Sequence, residues 1–131
     1  MTIVRWLTGE ASADHTDASN AGLVNLHTRS HDPAILEAFG IPEAAKILPP
    51  LRGSTEVIGR VSTQGAADTG LLAGTPVVGG LFDCIVCALE SGVYDDQAHG
   101  VIAGRWNINT SFEELLVPAP PSVKCSLGVD G

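Results

Sequence analysis

Ala73-Gly74-Thr75-Pro76-Val77-Val78-Gly79-Gly80-Leu81-Phe82-Asp83 carries the strongest structural signal in this 131-residue chain. Gly74-Thr75-Pro76 reads as a turn. Residues 77–82 begin β-branched and apolar and run into glycines, which predicts a buried strand. Asp83 follows, and Cys84-Ile85-Val86-Cys87-Ala88-Leu89 continues as an apolar helix that stops near Gly92. A strand handing a carboxylate to a helix mouth is an α/β arrangement, and ligands of open α/β sheets gather at the carboxyl ends of strands. Asp83 is therefore a candidate functional carboxylate. The alternative is that it only caps the following helix, a common place for Asp.

The segments on either side are punctuated by local chemistry. Thr2-Ile3-Val4-Arg5-Trp6-Leu7-Thr8 reads as the end of a helix closed by Gly9. Residues 11–20 are small and polar and read as a loop, followed by the apolar patch Leu23, Val24 and Leu26. Asp32 before Pro33 predicts a capped helix over residues 33–39, with Gly40 just past its end. Leu48-Pro49-Pro50-Leu51 predicts an extended connector. Residues 56–61 alternate as a strand, and Ser62 or Thr63 caps a short helix over residues 64–69 stopped by Gly70. After a polar turn at residues 94–97, Val101-Ile102-Ala103-Gly104 and Trp106-Asn107-Ile108-Asn109 read as two short strands meeting at a glycine. Pro118 to Pro121 is a connector, and residues 123–129 alternate as a last strand. The change of texture near residues 93–98 places a domain boundary there.

Composition narrows the function classes. Apolar residues make up 44% and charged residues 17%, a globular balance. The net charge is −8 with only seven Lys and Arg, scattered along the chain. Nucleic acid and anionic membrane surfaces both call for clustered cations, so neither is an expected partner. The first residues carry no secretory-signal pattern, and no window approaches the ~20 apolar residues of a membrane span. Three cysteines, two of them in an apolar run, argue against a disulfide framework and for a reducing, cytoplasmic setting.

Cys84-Ile85-Val86-Cys87 matches a C-x-x-C pattern. A redox site would need polar surroundings and a lowered thiol pKa, so buried structural cysteines are the favoured reading. Cys125, His15, His27, His31 and His99 lack ligand spacing, and no protein-built metal site is assigned. Asp14-His15-Thr16-Asp17-Ala18-Ser19 holds Ser, His and Asp together, but triads are set by geometry rather than local sequence. Asp17 and Ser19 are read as structural. Gly79 and Gly80 either admit close substrate approach or close strand–helix packing, and Trp106 is read as core.

The stretch ending in Gly79-Gly80-Leu81-Phe82-Asp83 is similar to the end of the first domain of FGGY-family carbohydrate kinases, especially the pentulose-phosphorylating L-xylulose kinase type. Leu7-Thr8-Gly9-Glu10, Asp17-Ala18-Ser19-Asn20, Leu48-Pro49-Pro50, Val57-Ile58-Gly59 and Thr69-Gly70-Leu71 match family landmarks in order. Ile102-Ala103-Gly104 followed by Trp106 resembles the opening of the second domain. The resemblance implies a ribonuclease H-like, actin-like fold of two α/β domains. Residues 1–95 would be the last part of the first domain, and residues 96–131 the first strands of the second. It implies transfer of the γ-phosphoryl group of ATP, with Mg2+, to a pentulose hydroxyl, with Asp83 as catalytic base and sugar contact. Phe82 would line the sugar pocket or, as the favoured reading, belong to the core. Gly104 and Arg105 stand where the family places a Gly-Thr pair against the ATP phosphates. Arg105 departs from that pattern, since a long cation does not copy a small hydroxyl. The family's Asp-x-Gly-Thr phosphate loop is expected upstream of Met1, and its adenosine site beyond Gly131. The alternative implied is an inactive remnant, acting at most as a structural or interaction fragment that pairs with other chains or copies of itself through sheet edges.

Overall fold

The computed structural model describes residues 2–95, 97–112 and 127–128. The expected connector at Pro118 to Pro121, and all but residues 127–128 of the last expected strand, lie outside them. Helix α1 spans Thr2–Thr8 and closes at Gly9, whose positive φ of 83° is the left-handed geometry glycine adopts freely. Residues 11–20, expected as a loop, instead form strand β1 (Ala13–Asp14) and helix α2 (His15–Asn20). The Asp14 carboxylate supplies the reason. It accepts from the Thr16 N–H at 2.9 Å and the Asp17 N–H at 3.1 Å, capping a helix that propensity alone does not announce.

β1 pairs in parallel with β4 (Leu51–Arg52), while β2 (Val24–Asn25) and β3 (Ser30–His31) form a short antiparallel ladder. Helix α3 (Pro33–Ala38) is built as its sequence predicts, with Asp32 accepting from the Ala34 N–H at 2.9 Å and Pro33 in the first turn. A 3-10 turn over Pro42–Lys46, not read in the sequence, leads to β4. Strand β5 (Val57–Arg60) pairs antiparallel with β6 (Pro76–Val78) across helix α4 (Thr63–Thr69). Ser62 caps α4 through a 3.0 Å bond from the Gly65 N–H, and Gly70 closes it. α4 lies on α1, where a Cβ at Gly65 would stand 2.6 Å from the Leu7 carbonyl oxygen, so the helices touch backbone to backbone. Helix α5 (Asp83–Glu90) packs on β7 (His99–Ala103), which forms an antiparallel hairpin with β8 (Asn107–Ser111). Among the described residues no helix is long and apolar enough to cross a membrane.

One core gathers Ala18, Val24 and Leu127, flanked by Ala13, Leu26 and Leu51. It is sealed by polar bonds. Ser19 is buried, donates to the Thr16 carbonyl at 3.0 Å and accepts from the Leu127 N–H at 2.9 Å. Ser19 is structural here, as its sequence setting suggests.

The α3 cap gives a pH-sensitive readout. Asn25 Nδ2 donates to Asp32 Oδ2 at 2.8 Å, and this bond, followed by the Ala34 N–H, holds the Asp32 carboxyl below its ordinary value. The folded state thus favours the charged form. Its contribution is complete above the ordinary carboxylate pKa of about 4 and is lost as pH falls through the lowered folded value. Asn25→Ala is expected to raise the Asp32 midpoint toward about 4, as read by carboxyl-carbon NMR titration; an unmoved midpoint would contradict the cause assigned here.

Candidate active site

The residues leading to Asp83 depart from the predicted buried strand. Only Pro76–Val78 is strand, and its pairing with β5 leaves Val78 47% exposed. Residues 79–82 form an irregular turn instead. The glycine pair explains the break. Gly80 takes a positive φ of 88°, outside strand geometry, and a Cβ at Gly79 would stand 2.5 Å from the Gly53 carbonyl oxygen. The close packing at Gly79 is not the strand–helix packing expected but backbone packing against the loop at Gly53 and Ser54.

This turn is tied at three points. The Gly79 N–H donates to the Glu56 carbonyl at 3.1 Å, and the Gly80 N–H to the Ser54 carbonyl at 3.0 Å. The Phe82 N–H donates to Thr16 Oγ1 at 2.8 Å, across 66 residues of chain. The acceptor loop is itself clipped, with Glu56 accepting from Gly53 N–H at 3.1 Å and from Arg52 at 2.9 Å. That exposed ion pair adds little stability, but it shapes the loop that receives the glycines.

Asp83 emerges from the turn as the first residue of α5, with an exposed side chain. The N-cap position belongs to Phe82, whose carbonyl accepts the Ile85 N–H at 3.0 Å and the Val86 N–H at 3.1 Å. Asp83 Oδ1 accepts from the N–H of the adjacent Cys84 at 2.7 Å. Asp83 is thus not the cap residue of α5. Its carboxylate sits in the first turn, where the helix dipole favours negative charge, and faces solvent. Phe82 is half-buried beside it.

Gly104 and Arg105 lie at the exposed turn between β7 and β8. The nearest atom to a Cβ at Gly104 would be the Trp106 carbonyl oxygen at 3.8 Å, so the backbone there is open to approach. Trp106 is 76% exposed and not core, because the hairpin tip carries it away from α5, which packs on β7.

The two helix cysteines are free, and they are not the buried pair expected. α5 turns Ile85 and Ala88 inward, which leaves Cys84 half-buried and Cys87 exposed. Desolvation, then the hydrogen bond and charge of Asp83, raise the Cys84 thiol pKa, the opposite of what a redox-active thiol needs. Iodoacetamide at neutral pH is expected to label Cys87 well before Cys84, as read by peptide mass spectrometry; equal labelling would contradict this environment.

Two residues that hold the site were not read in the sequence, Thr16 and Asp14. Thr16 is fully buried, and its hydroxyl also donates to Asp14 Oδ1. The signal available was the Asp-x-Thr-Asp spacing of a side-chain-capped turn, but nothing local pointed to Phe82 as its second partner.

Residues 2–89 match the FGGY family of carbohydrate kinases, N-terminal domain. The chain is 40% identical over 110 residues to the L-xylulose/3-keto-L-gulonate kinase of Escherichia coli, covering 83% of this chain and 22% of that protein. It is 36% identical over 102 residues to a probable L-xylulose kinase of Pasteurella multocida, covering 78% and 21%. Among solved structures, a ligand-bound xylulose kinase from Lactobacillus acidophilus superposes with a TM-score of 0.68 at 25% identity, over 76% of this chain and 20% of that one. The chain therefore spans about a fifth of the length of these relatives, and it adopts part of the α/β, actin-like sugar-kinase fold. A matched stretch that runs from α1 through Asp83 into α5 places this chain in the FGGY family of carbohydrate kinases.

Proposed function

We propose that this chain carries the catalytic-base segment of an ATP-dependent carbohydrate kinase acting on a pentulose of xylulose type. The observation that carries the proposal is Asp83, a solvent-facing carboxylate on a turn tied at three backbone points. In the proposed reaction Asp83 accepts the proton of the attacking sugar hydroxyl. That oxygen bonds to the γ-phosphorus as the bond to the β–γ bridging oxygen breaks, and ADP leaves. Positioning and charge stabilisation do most of the work in phosphoryl transfer, so a rigidly held base suits it.

Phe82, half-buried next to Asp83, would line the sugar pocket. Gly104, with its open backbone, and the exposed Arg105 would meet the ATP phosphates, Arg105 as a cation in place of the family's hydroxyl. Mg2+ neutralises phosphate charge in such reactions and would be carried by the nucleotide. Among the described residues no group of three or more His, Cys, Asp or Glu side chains stands together to hold it. Residues 1–95 would belong to the first kinase domain and residues 96–131 to the second. The end of α5 at Glu90 and the pairing of β7 with β8 in a sheet of their own support that division, although α5 packs on β7.

A second reading, an inactive fragment that acts through its surface, draws on exposed apolar side chains such as Ile47 (81%) and Leu72 (82%). One assay separates the two. The chain is grafted in place of the matched segment of the Escherichia coli L-xylulose/3-keto-L-gulonate kinase and offered ATP with a panel of pentuloses, with ADP release coupled to NADH oxidation. Sugar-dependent ADP release by the graft, and none by the isolated 131 residues, is the expected result. A folded graft without turnover would reject the kinase reading.

A further inference from the structure

We propose that Thr16 is a positioning residue for Asp83, acting through the backbone of Phe82; this rests on the assignment of Asp83 as base. Thr16 is the most deeply buried polar side chain described, with 0% exposure, and it sits on α2, far in sequence from the site. A threonine hydroxyl has one proton to give and lone pairs to receive. Here the proton is committed to Asp14 Oδ1. Asp14 is itself held in place, because the same oxygen caps α2 through the Thr16 and Asp17 N–H groups at 2.9 and 3.1 Å.

With its rotor fixed in this way, the hydroxyl presents a lone pair to the Phe82 N–H at 2.8 Å. Phe82 is the N-cap of α5, so this bond sets where α5 begins and hence where the Asp83 carboxylate emerges. The chain Asp14–Thr16–Phe82 joins α2 to α5 without touching the Asp83 side chain. The other two ties of the turn run from Gly79 and Gly80 to the Glu56 and Ser54 carbonyls and hold the strand end, not the helix start.

A valine at position 16 keeps the shape, removes the hydroxyl and leaves the Phe82 N–H without its partner. The first arm of the test measures amide hydrogen exchange by NMR on the 131-residue chain. Phe82 is expected to exchange slowly in the unsubstituted chain and in Thr16→Ser, which keeps the hydroxyl. In Thr16→Val it should exchange at least tenfold faster, while the Gly70 and Ile102 amides keep their rates. Free exchange of Phe82 in the unsubstituted chain, or continued protection in Thr16→Val, overturns the proposal. If Thr16→Val does not fold, the unsubstituted chain and Thr16→Ser decide: loss of Phe82 protection in the serine variant overturns it.

The second arm uses the grafted kinase. Thr16→Val is expected to lower kcat about tenfold with the KM for ATP unchanged, and Thr16→Ser to restore it. In an Asp83→Asn background, Thr16→Val should cost no further rate, because only the placement of the base was lost. An equal loss in both backgrounds would make Thr16 merely structural and overturn the proposal. Should Asp83→Asn alone leave turnover normal, the base assignment fails, and the amide-exchange result then separates that failure from a failure of the Thr16–Phe82 bond.

Discussion

Asp83→Asn is expected to cut turnover of the grafted kinase by about 10²–10⁴-fold, the range a general base contributes. The fold should survive. Asn keeps an oxygen that can accept the Cys84 N–H, and the side chain is exposed, so no buried partner is orphaned. Only the favourable charge in the first turn of α5 is lost, at most about 1 kcal/mol. The rate loss and the stability loss are therefore of very different size. The measurement is kcat by the coupled assay beside a thermal melt. Glu90→Gln, at the far end of the same helix and exposed, serves as the comparison and should leave kcat unchanged. A near-normal rate for Asp83→Asn would remove Asp83 from the chemistry.

Gly79→Ala is expected to destabilise the chain by about 1–3 kcal/mol, the usual range for overpacking. For a chain of this size that lowers the melting temperature by roughly 4–12 °C. The new Cβ would lie 2.5 Å from the Gly53 carbonyl oxygen, 3.3 Å from its carbon and 3.4 Å from the Ser54 Cα. All three are backbone atoms, so no side chain can swing away. Relief requires the 53–56 loop to part from the turn, which also strains the bonds from the Gly79 and Gly80 N–H groups. Gly53→Ala serves as the comparison, because a Cβ there meets Glu56 Cβ at 3.7 Å and Glu56 Oε2 at 4.0 Å, both ordinary contacts. It should change stability by no more than about 0.5 kcal/mol. If Gly79→Ala melts with the unsubstituted chain, the close approach is not a constraint.

Much of this architecture was legible in the sequence. The Asp32 and Ser62 caps, and the helix stops at Gly9, Gly40 and Gly70, follow from rules that act within one helical turn. The hairpin of β7 and β8 follows from two apolar runs meeting at Gly104. The differences have two causes, one local and one tertiary. Residues 11–20 contain a helix because Asp14 caps it, against weak propensity. Residues 79–82 leave the strand because they are tied to the 53–56 loop and to Thr16. Cys87 and Trp106 are exposed because the packing of α5 and β7 chose other faces.

The sequence by itself displayed the family, the well-punctuated helices α3, α4 and α5 and the candidate base. These depend on motifs and local patterns that the linear chain already displays. Only the tertiary structure decided how Asp83 is presented. It moved the cap position to Phe82, packed Gly79 on Gly53, and brought Thr16 to the Phe82 N–H across 66 residues. Such bonds form when folding brings distant segments together, and no spacing along the chain encodes which hydroxyl will meet which amide.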